Sequence, residues 1–271
     1  MSGITRSLDG GVAVITIDRA EKLNALTLEM YDELGAAFEW VGRDPDVAVA
    51  ILTGAGDRAF CVGADLGESI PALASGSFDI SHWDGAHQKH SVLDKPVISA
   101  VNGLCLGGGF EIMLSTDLRV AGASATFGLP ETGVGVVPAG GTLTRLVRQV
   151  PYAAAMELML LGERVDAARA ERIGLVNRVV ADADVLPEAH SLARRLVAVS
   201  GEALAVVKSS VRALSDMPQE AAFHAEAAFG QQAFTSADAA EGLDAFARRR
   251  TPAFPSRARL ATSHQPARRQ Q

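Results

Sequence analysis

The sequence has 271 residues, of which 48% are hydrophobic and 21% charged, and its formal net charge is −7 at pH 7. This composition is typical of globular proteins, and the negative charge argues against a general nucleic-acid-binding protein. No apolar run approaches the roughly 18 residues of a membrane span, and the first ten residues show no signal- or transit-peptide pattern, so we expect a cytoplasmic protein without a membrane segment.

Short segments rich in β-branched residues predict strands in the first two thirds of the chain. They are residues 12–18, 47–53, 96–102, 118–120 and 175–180. Thr27 has the character of a helix N-cap. The helix after it carries an apolar stripe at helical spacing, formed by Met30, Leu34, Phe38 and Val41. Strands that alternate with helices in this way predict an α/β body.

The remaining elements are a long loop, a helical region and a tail. Residues 67–81 are small, polar and turn-forming, and they predict either a lid or binding loop or a neutral insertion. After residue 180 the chain becomes alanine-rich, and residues 187–215 and 218–247 predict helices without strands. The last 17 residues, 255–271, are basic and lack apolar periodicity, so we expect a disordered tail.

A glycine-rich stretch, GLCLGGGFE over residues 103–111, follows a predicted strand and enters a predicted helix. It does not match the dinucleotide-binding fingerprint, because Ile112 stands where the third glycine or alanine is required, and it lacks the Lys-Ser/Thr pair of a P-loop. No serine lies in a nucleophile-elbow motif. The stretch therefore predicts either exposed amides for an anion, or for an oxygen that becomes anionic, or else a tight packing turn.

Two carboxylates stand close to predicted turns. Glu111 lies in the first turn after the glycines, and Glu131 lies in a turn that follows a short strand. Each can be structural when taken alone, and their spacing does not decide whether the fold brings them together.

Other polar residues give weaker signals. The segment containing His82, Asp84, His87 and His90 matches no zinc signature, so we predict no metal site. Both cysteines, Cys61 and Cys105, lie in apolar runs and are predicted to be packed thiols. We assign Trp83 to the core.

Together, the motifs resemble those of the enoyl-CoA hydratase/isomerase family, the crotonase superfamily, over nearly the whole chain. They occur in the family's order: RAEKLNAL (19–26), ILTG (51–54), AFCVGADL (59–66), SHWD (81–84), KPVISAVNG (95–103), LGGGFE (106–111), TFGLPE (126–131), GGT (140–142) and EGLDAF (241–246). The resemblance implies a crotonase-like α/β core of repeated ββα units over 1–195, which binds acyl-CoA. It also implies a helical region over 196–254 that forms a homotrimer or a dimer of trimers, leaving 255–271 as the tail.

The resemblance further implies roles for individual residues. The backbone amides of Ala64 and Gly108 are expected to form an oxyanion hole, and Glu111 and Glu131 to be catalytic. The residues expected to contact the substrate or its CoA moiety are Lys22, Val62, Ala64, Asp65, Leu66, Gly67 and Gly108. Looser candidates for phosphate contacts are Arg248, Arg249 and Arg250. The sequence departs from the family pattern at Phe110, which is bulky, and after Pro138, where the turn is one residue shorter.

Retention of both glutamates resembles the hydratases of the family, and implies reversible addition of water to an enoyl-CoA to give a 3-hydroxyacyl-CoA. The alternatives are a specialised acyl-CoA dehydratase or isomerase and a non-catalytic CoA-binding homologue. No cofactor is expected, because coenzyme A is part of the substrate.

Overall fold

The computed structural model describes residues 3–76 and 78–262. Its strands are β1 (Gly3–Asp9), β2 (Val12–Asp18), β3 (Val49–Gly54), β4 (Ala59–Cys61), β5 (Val97–Val101), β6 (Leu104–Leu106), β7 (Leu118–Gly122), β8 (Thr126–Gly128), β9 (Val165–Asp166) and β10 (Arg178–Val180). Its helices are α1 (Leu28–Arg43), α2 (Ser69–Ala74), α3 (Gly108–Leu114), α4 (Thr142–Gln149), α5 (Tyr152–Leu161), α6 (Ala167–Arg172), α7 (Val185–Val197), α8 (Gly201–Leu214), α9 (Gln219–Phe234), α10 (Ala237–Ala247) and α11 (Ala258–Thr262).

The strands form two sheets that place the site residues. The larger sheet has the order β1-β2-β3-β5-β7-β10, and all its neighbours are parallel except β1 and β2. The smaller sheet has the order β4-β6-β8-β9, with its first three strands parallel. Every residue of β3 and β5 is buried, as expected for central parallel strands covered on both faces.

Apolar side chains cover the two faces of the larger sheet differently. On one face Ile51, Ile98 and Val120 pack against Ala189 and other residues of α7. On the opposite face alternate strand residues join a larger core with α1 and the smaller sheet. Helix α7 completes the first of these layers.

The five predicted strands are present, although the predicted 175–180 segment is a strand only over Arg178–Val180. The short strand predicted before Glu131 is β8. The strands β1, β4, β6 and β9 were not predicted, and the last three have only two or three residues, too few for a period to show. Helix α1 confirms the N-cap prediction: Thr27 Oγ1 accepts a hydrogen bond from Met30 N at 3.2 Å. All four residues of the predicted stripe are buried.

Two expectations for loops were wrong. Residues 67–81, predicted as a loop, contain α2 and a 3-10 turn at Ile80–Trp83. The tail predicted to be disordered from residue 255 contains a 3-10 turn at Pro255–Arg257 and then α11. Arg257 donates hydrogen bonds to the carbonyls of Val199 and Leu196, which fixes this segment against the end of α7. Residues 263–271 lie outside the described part of the chain.

The C-terminal helical region is more divided than the sequence predicts. Ser200 and Ser236 cap α8 and α10 through their hydroxyl groups, so each predicted helix is split into two. Helices α8 and α9 bury none of their residues within the chain. Among the described residues, no helix combines the length and apolar character needed to cross a membrane.

Candidate active site

A rigid turn after β2 supports one side of the candidate site. Leu23 and Asn24 have left-handed φ angles of 54° and 58°, which asparagine tolerates better than most residues. The buried Asn24 side chain accepts a hydrogen bond from Arg19 N at 3.0 Å and donates to Ala59 O at 2.7 Å. This network joins the turn to β4. Lys22 lies exposed in the same turn.

The turn holds the loop that carries Ala64. Leu26 N donates to Gly63 O, and Leu26 O accepts from Asp65 N, both at 2.8 Å. These two bonds lie on either side of Ala64, so the amide of Ala64 takes no part in the pairing. The amide of Gly108 is also without an intrahelical acceptor, because Gly108 is the first residue of α3.

The two amides lie next to each other. A Cβ atom placed on Gly108 would lie 3.7 Å from the nitrogen of Ala64, and a Cβ on Gly63 would lie 2.8 Å from the nitrogen of Gly108. Gly63 has a φ of 93° and Gly107 a φ of 51°, so both positions favour glycine for their backbone shape. A Cβ on Gly109 would lie 2.2 Å from the carbonyl oxygen of Cys61. The glycine-rich stretch is therefore both a packing turn and a source of free amides.

Glu111 lies one helical turn beyond these amides and is 6% exposed. Its Oε1 accepts a hydrogen bond from Gly140 N at 2.6 Å. Burial, with the nearby charge of Glu131, raises the pKa of Glu111 to about 7. The shortened turn after Pro138 thus still reaches the glutamate, through Gly140.

Glu131 lies close to Gly107, next to the amide of Gly108. It lies in the 3-10 turn Pro130–Val134, directly after β8, and its Oε1 would be 3.1 Å from a Cβ on Gly107. Burial raises the pKa of Glu131 as well. Within the described residues its Oε2 is buried without a hydrogen-bond partner. The fold therefore brings the two glutamates together, which their separation in the sequence could not decide.

The residues predicted to contact CoA have different environments. Asp65 binds Arg19 at 2.6 Å and accepts from Gly67 N at 2.7 Å, and the hydrogen bond from Arg19 holds the pKa of Asp65 below its usual range. Its carboxylate therefore fixes the loop. Leu66 is 82% exposed and Val62 is half-buried, so their side chains are available to a ligand.

The arginines at 248–250 do not share one helix face, because α10 ends before them and Arg249 has a φ of 52°. Arg248 binds Asp244 at 2.8 Å. Arg250 binds Glu241 at 2.6 Å and Asp244 at 2.7 Å. Arg249 is thus the more available of the three for a phosphate.

Some residues near the glutamates were not predicted as parts of the site. Tyr31 stacks on Trp83 with ring centroids 4.1 Å apart, and its hydroxyl oxygen lies 2.7 Å from the position of a Cβ on Gly108. His87 Nε2 lies 4.0 Å from Glu111 Oε2. The signal for Tyr31 in the sequence was an aromatic residue with a hydroxyl group next to the apolar stripe of α1. For His87, residue spacing gave no signal that linked it to Glu111.

The other residues considered in the sequence analysis are either buried in the core or exposed at the surface. Trp83, Cys61 and Cys105 are buried as predicted, and burial raises the pKa of Cys61 to about 12. His90 is exposed beside Asp84. In the described ranges, no three His, Cys, Asp or Glu side chains are grouped so that they could hold a metal ion.

Comparison with known proteins identifies the family. The sequence profile described as enoyl-CoA hydratase/isomerase matches residues 7–257. The chain belongs to the enoyl-CoA hydratase/isomerase family. Family membership confirms the resemblance recognised in the motifs.

Individual relatives agree over almost the full length. The enoyl-CoA hydratase EchA19 of Mycobacterium tuberculosis is 40% identical over 253 residues, which cover 92% of this chain and 94% of that protein. The carnitinyl-CoA dehydratase of Escherichia coli K12 is 38% identical, with 92% and 97% covered. The crystal structure of an enoyl-CoA hydratase from Bacillus anthracis superimposes with a TM-score of 0.86 at 30% identity, covering 94% of this chain and 99% of that one. The predicted crotonase-like α/β fold is confirmed.

Proposed function

We propose that the protein is an enoyl-CoA hydratase, which adds water reversibly to the α,β double bond of an enoyl-CoA. The observation that carries the proposal is the placement of buried Glu111 and half-buried Glu131, each with a raised pKa, close to two adjacent free amides. Relatives at about 40% identity bear the same activity in their names.

In the proposed complex, the thioester oxygen lies between the amides of Ala64 and Gly108. Addition at the β-carbon turns the thioester into an enolate, whose negative charge resides largely on this oxygen. Preorganised N–H donors stabilise such a charge more than they stabilise the neutral carbonyl, and this difference lowers the barrier. The contacts that fix the Ala64 loop and α3 keep the donors in place before substrate binds.

The two glutamates carry the proton transfers. A water molecule between them attacks the β-carbon and gives a proton to Glu111, while Glu131 gives its proton to the α-carbon. The water oxygen and one hydrogen end on the β-carbon, and one hydrogen ends on the α-carbon. Afterwards Glu111 releases a proton and Glu131 regains one. These steps need no cofactor, and coenzyme A enters only as part of the substrate.

The raised pKa of Glu111 predicts the pH dependence of hydration. Below about pH 7 Glu111 is protonated and cannot accept a proton from water, so kcat/KM should fall as the pH is lowered. The pKa obtained from this pH profile describes the two interacting glutamates together and not Glu111 alone. Steady-state hydration rates measured between pH 5 and 9 test this fall in kcat/KM. A rate that stays constant down to pH 5 would contradict the proposed role of Glu111.

A direct assay tests the function. Incubation with short, medium and branched enoyl-CoA thioesters should remove the absorbance of the conjugated double bond and give products heavier by one water molecule. We expect turnover of at least one chain length. A folded protein that binds CoA thioesters but converts none of them would support the non-catalytic alternative and overturn the proposal.

A second candidate within the family is a specialised acyl-CoA dehydratase. It is favoured by the 38% identity to carnitinyl-CoA dehydratase, and it would use the same groups in the reverse direction. Supplying 3-hydroxyacyl-CoA thioesters with substituted chains distinguishes the two, because a specialised enzyme would prefer one of these over a simple enoyl-CoA.

We further propose a homotrimer or a dimer of trimers assembled through residues 196–254, in a cytoplasmic location. Exposed apolar side chains on α8–α10 support assembly, among them Val207, Val211, Phe223, Phe234, Leu243 and Phe246.

The proposal also includes contacts with the substrate. These are assigned to Lys22, Val62, Leu66, Gly67 and Arg249, and Asp65 acts by fixing the shape of its loop.

A further inference from the structure

His87 is held as a neutral imidazole with one free nitrogen. Its Nδ1 lies 2.9 Å from the carbonyl oxygen of Trp83. A carbonyl can only accept, so Nδ1 carries the hydrogen and Nε2 presents a lone pair. Burial lowers the pKa of His87 to about 4, which keeps the ring neutral near pH 7. Nε2 is buried and has no hydrogen-bond partner within the described residues.

This free nitrogen faces one oxygen of Glu111. The distance from Nε2 to Glu111 Oε2 is 4.0 Å. A Cβ on Gly140 would lie 2.4 Å from Nε2 and 2.7 Å from Oε2, so only glycine leaves space between them. Oε1 is already occupied by the amide of Gly140. A proton taken up by Glu111 therefore belongs on Oε2, opposite a buried acceptor that lacks a donor.

The surrounding backbone fixes His87 in this position. The next residue, Gln88, has a φ of 50°, a strained value for a residue other than glycine. Arg145 donates to the carbonyls of His87 at 2.6 Å and Gln88 at 2.9 Å. The Gln88 side chain donates to Ser115 Oγ at 3.0 Å, at the end of α3. The strained turn is thus held from α4 and from α3, the helix that carries Glu111.

We propose that His87 is a positioning residue for Glu111, whose protonated Oε2 donates a hydrogen bond to His87 Nε2. A normal hydrogen bond of about 2.8 Å requires the carboxyl to move toward His87 by roughly 1 Å. The proton stays on Oε2 and the imidazole stays neutral. The inference rests on the proposed function, in which Glu111 takes a proton from water in each hydration and gives one to the leaving hydroxyl in dehydration.

The charges around His87 agree with a neutral ring. The titratable or charged groups that face it are Glu111 on α3, Arg145 on α4, Tyr31 on α1, and Asp84 and Lys89 in its own segment. Lys89 and Arg145 both oppose a positive charge on the imidazole, and Asp84 favours it less strongly than burial opposes it. His87 therefore acts as an acceptor and does not itself donate a proton to substrate.

Two substitutions separate the roles of the two ring nitrogens. His87→Asn keeps a donor near the position of Nδ1 and removes Nε2, whereas His87→Gln places an amide near Nε2 and loses the donor to Trp83. We expect His87→Asn to lower kcat about tenfold with little change in KM, and His87→Gln to retain several times more activity than His87→Asn. His82→Asn is the matched control, because the exposed His82 also pairs through Nδ1 with a backbone carbonyl, that of Asp79. It should leave activity unchanged.

A second measurement does not depend on turnover. Infrared difference spectra recorded during a pH titration report the protonated carboxyl of Glu111, which Glu111→Gln identifies by removing the band. In His87→Asn the band should disappear at a lower pH than in the parent, because the protonated form has lost its acceptor. The reverse activity order, with His87→Gln more damaged than His87→Asn and the band unmoved, would show that His87 has only a structural role. If the parent protein hydrates no enoyl-CoA, the proposed function fails, while the infrared result still decides the contact between His87 and Glu111.

Discussion

Replacing Glu111 or Glu131 by glutamine lowers the hydration rate by about 10²- to 10⁴-fold, the range expected when a group that transfers a proton is removed. Glutamine keeps the size of the side chain, and its carbonyl can still accept the hydrogen bond that Gly140 N gives to Glu111. KM for a short enoyl-CoA should change little. Stopped assays at high enzyme concentration measure the residual rate, and near-parental turnover in either variant removes that glutamate from the mechanism.

The same Glu111→Gln substitution should make the protein more stable at neutral and alkaline pH. The pKa of Glu111 rises from 4.5 to about 7 on folding, so between these values the folded protein binds more protons than the unfolded chain. Stability therefore falls as the pH rises from about 4.5 to about 7, by roughly 3 kcal/mol for a shift of this size. Urea unfolding at pH 4.5 and pH 8 should show a gain for the variant only at the higher pH. This result also rules out misfolding as the cause of lost activity.

The second large effect concerns the backbone at Ala64. Ala64→Pro removes the amide hydrogen, and we expect the chemical step to slow by roughly 10²- to 10³-fold, as for other deleted oxyanion donors. The loss should appear in kcat more than in affinity, because the negative charge develops only as the enolate forms. The pairing with Leu26 uses Gly63 O and Asp65 N, so the proline leaves both of these hydrogen bonds available.

Ala64→Ser is the matched control for this experiment, because it keeps the amide and nearly the same volume. Circular dichroism and the oligomeric state of both variants should be compared with those of the parent. If a folded Ala64→Pro protein hydrates enoyl-CoA at close to the parental rate, the placement of the oxyanion hole at Ala64 and Gly108 is wrong.

Local features of the fold could be predicted where the signal lies within a few residues. The Thr27 cap, the α1 stripe and the strand over residues 12–18 depend on residue type and spacing within a short segment, and each is present in the structure. The short strands β4, β6 and β9 of the smaller sheet could not be predicted, because their stability comes from neighbours distant in the sequence. The same reason explains why residues 255–262 were wrongly assigned to a disordered tail: Arg257 is fixed by carbonyls near residue 199.

The candidate site shows the same division. The glycine pattern predicted either exposed amides or a tight packing turn, since glycine and a helix start act locally. Whether Glu111 and Glu131 meet depends on how β6 and β8 pair in the smaller sheet, which spacing does not report. The pairing of Arg250 with Glu241 was also not predicted, because charge counting does not show which acids lie within reach. The approach of His87 to Glu111 requires the turn at His87, helix α3 and helix α4 to pack together, and these segments are separate in the sequence.

The Gly108 amide and the Glu111 carboxyl belong to the same turn of α3, and the contact of Gly109 with Cys61 O fixes that turn against β4. One of these groups is part of the main chain, and the other is a side chain. A point mutation exchanges side chains and, glycine and proline aside, leaves the main-chain donor where it was. Under the proposed mechanism, a single codon change at position 111 or 131 would therefore redirect the reaction of a bound thioester, while the two amides of the proposed oxyanion hole would be inherited unchanged. In this fold, the side chains at positions 111 and 131 can change by single substitutions, whereas the main-chain amides are retained.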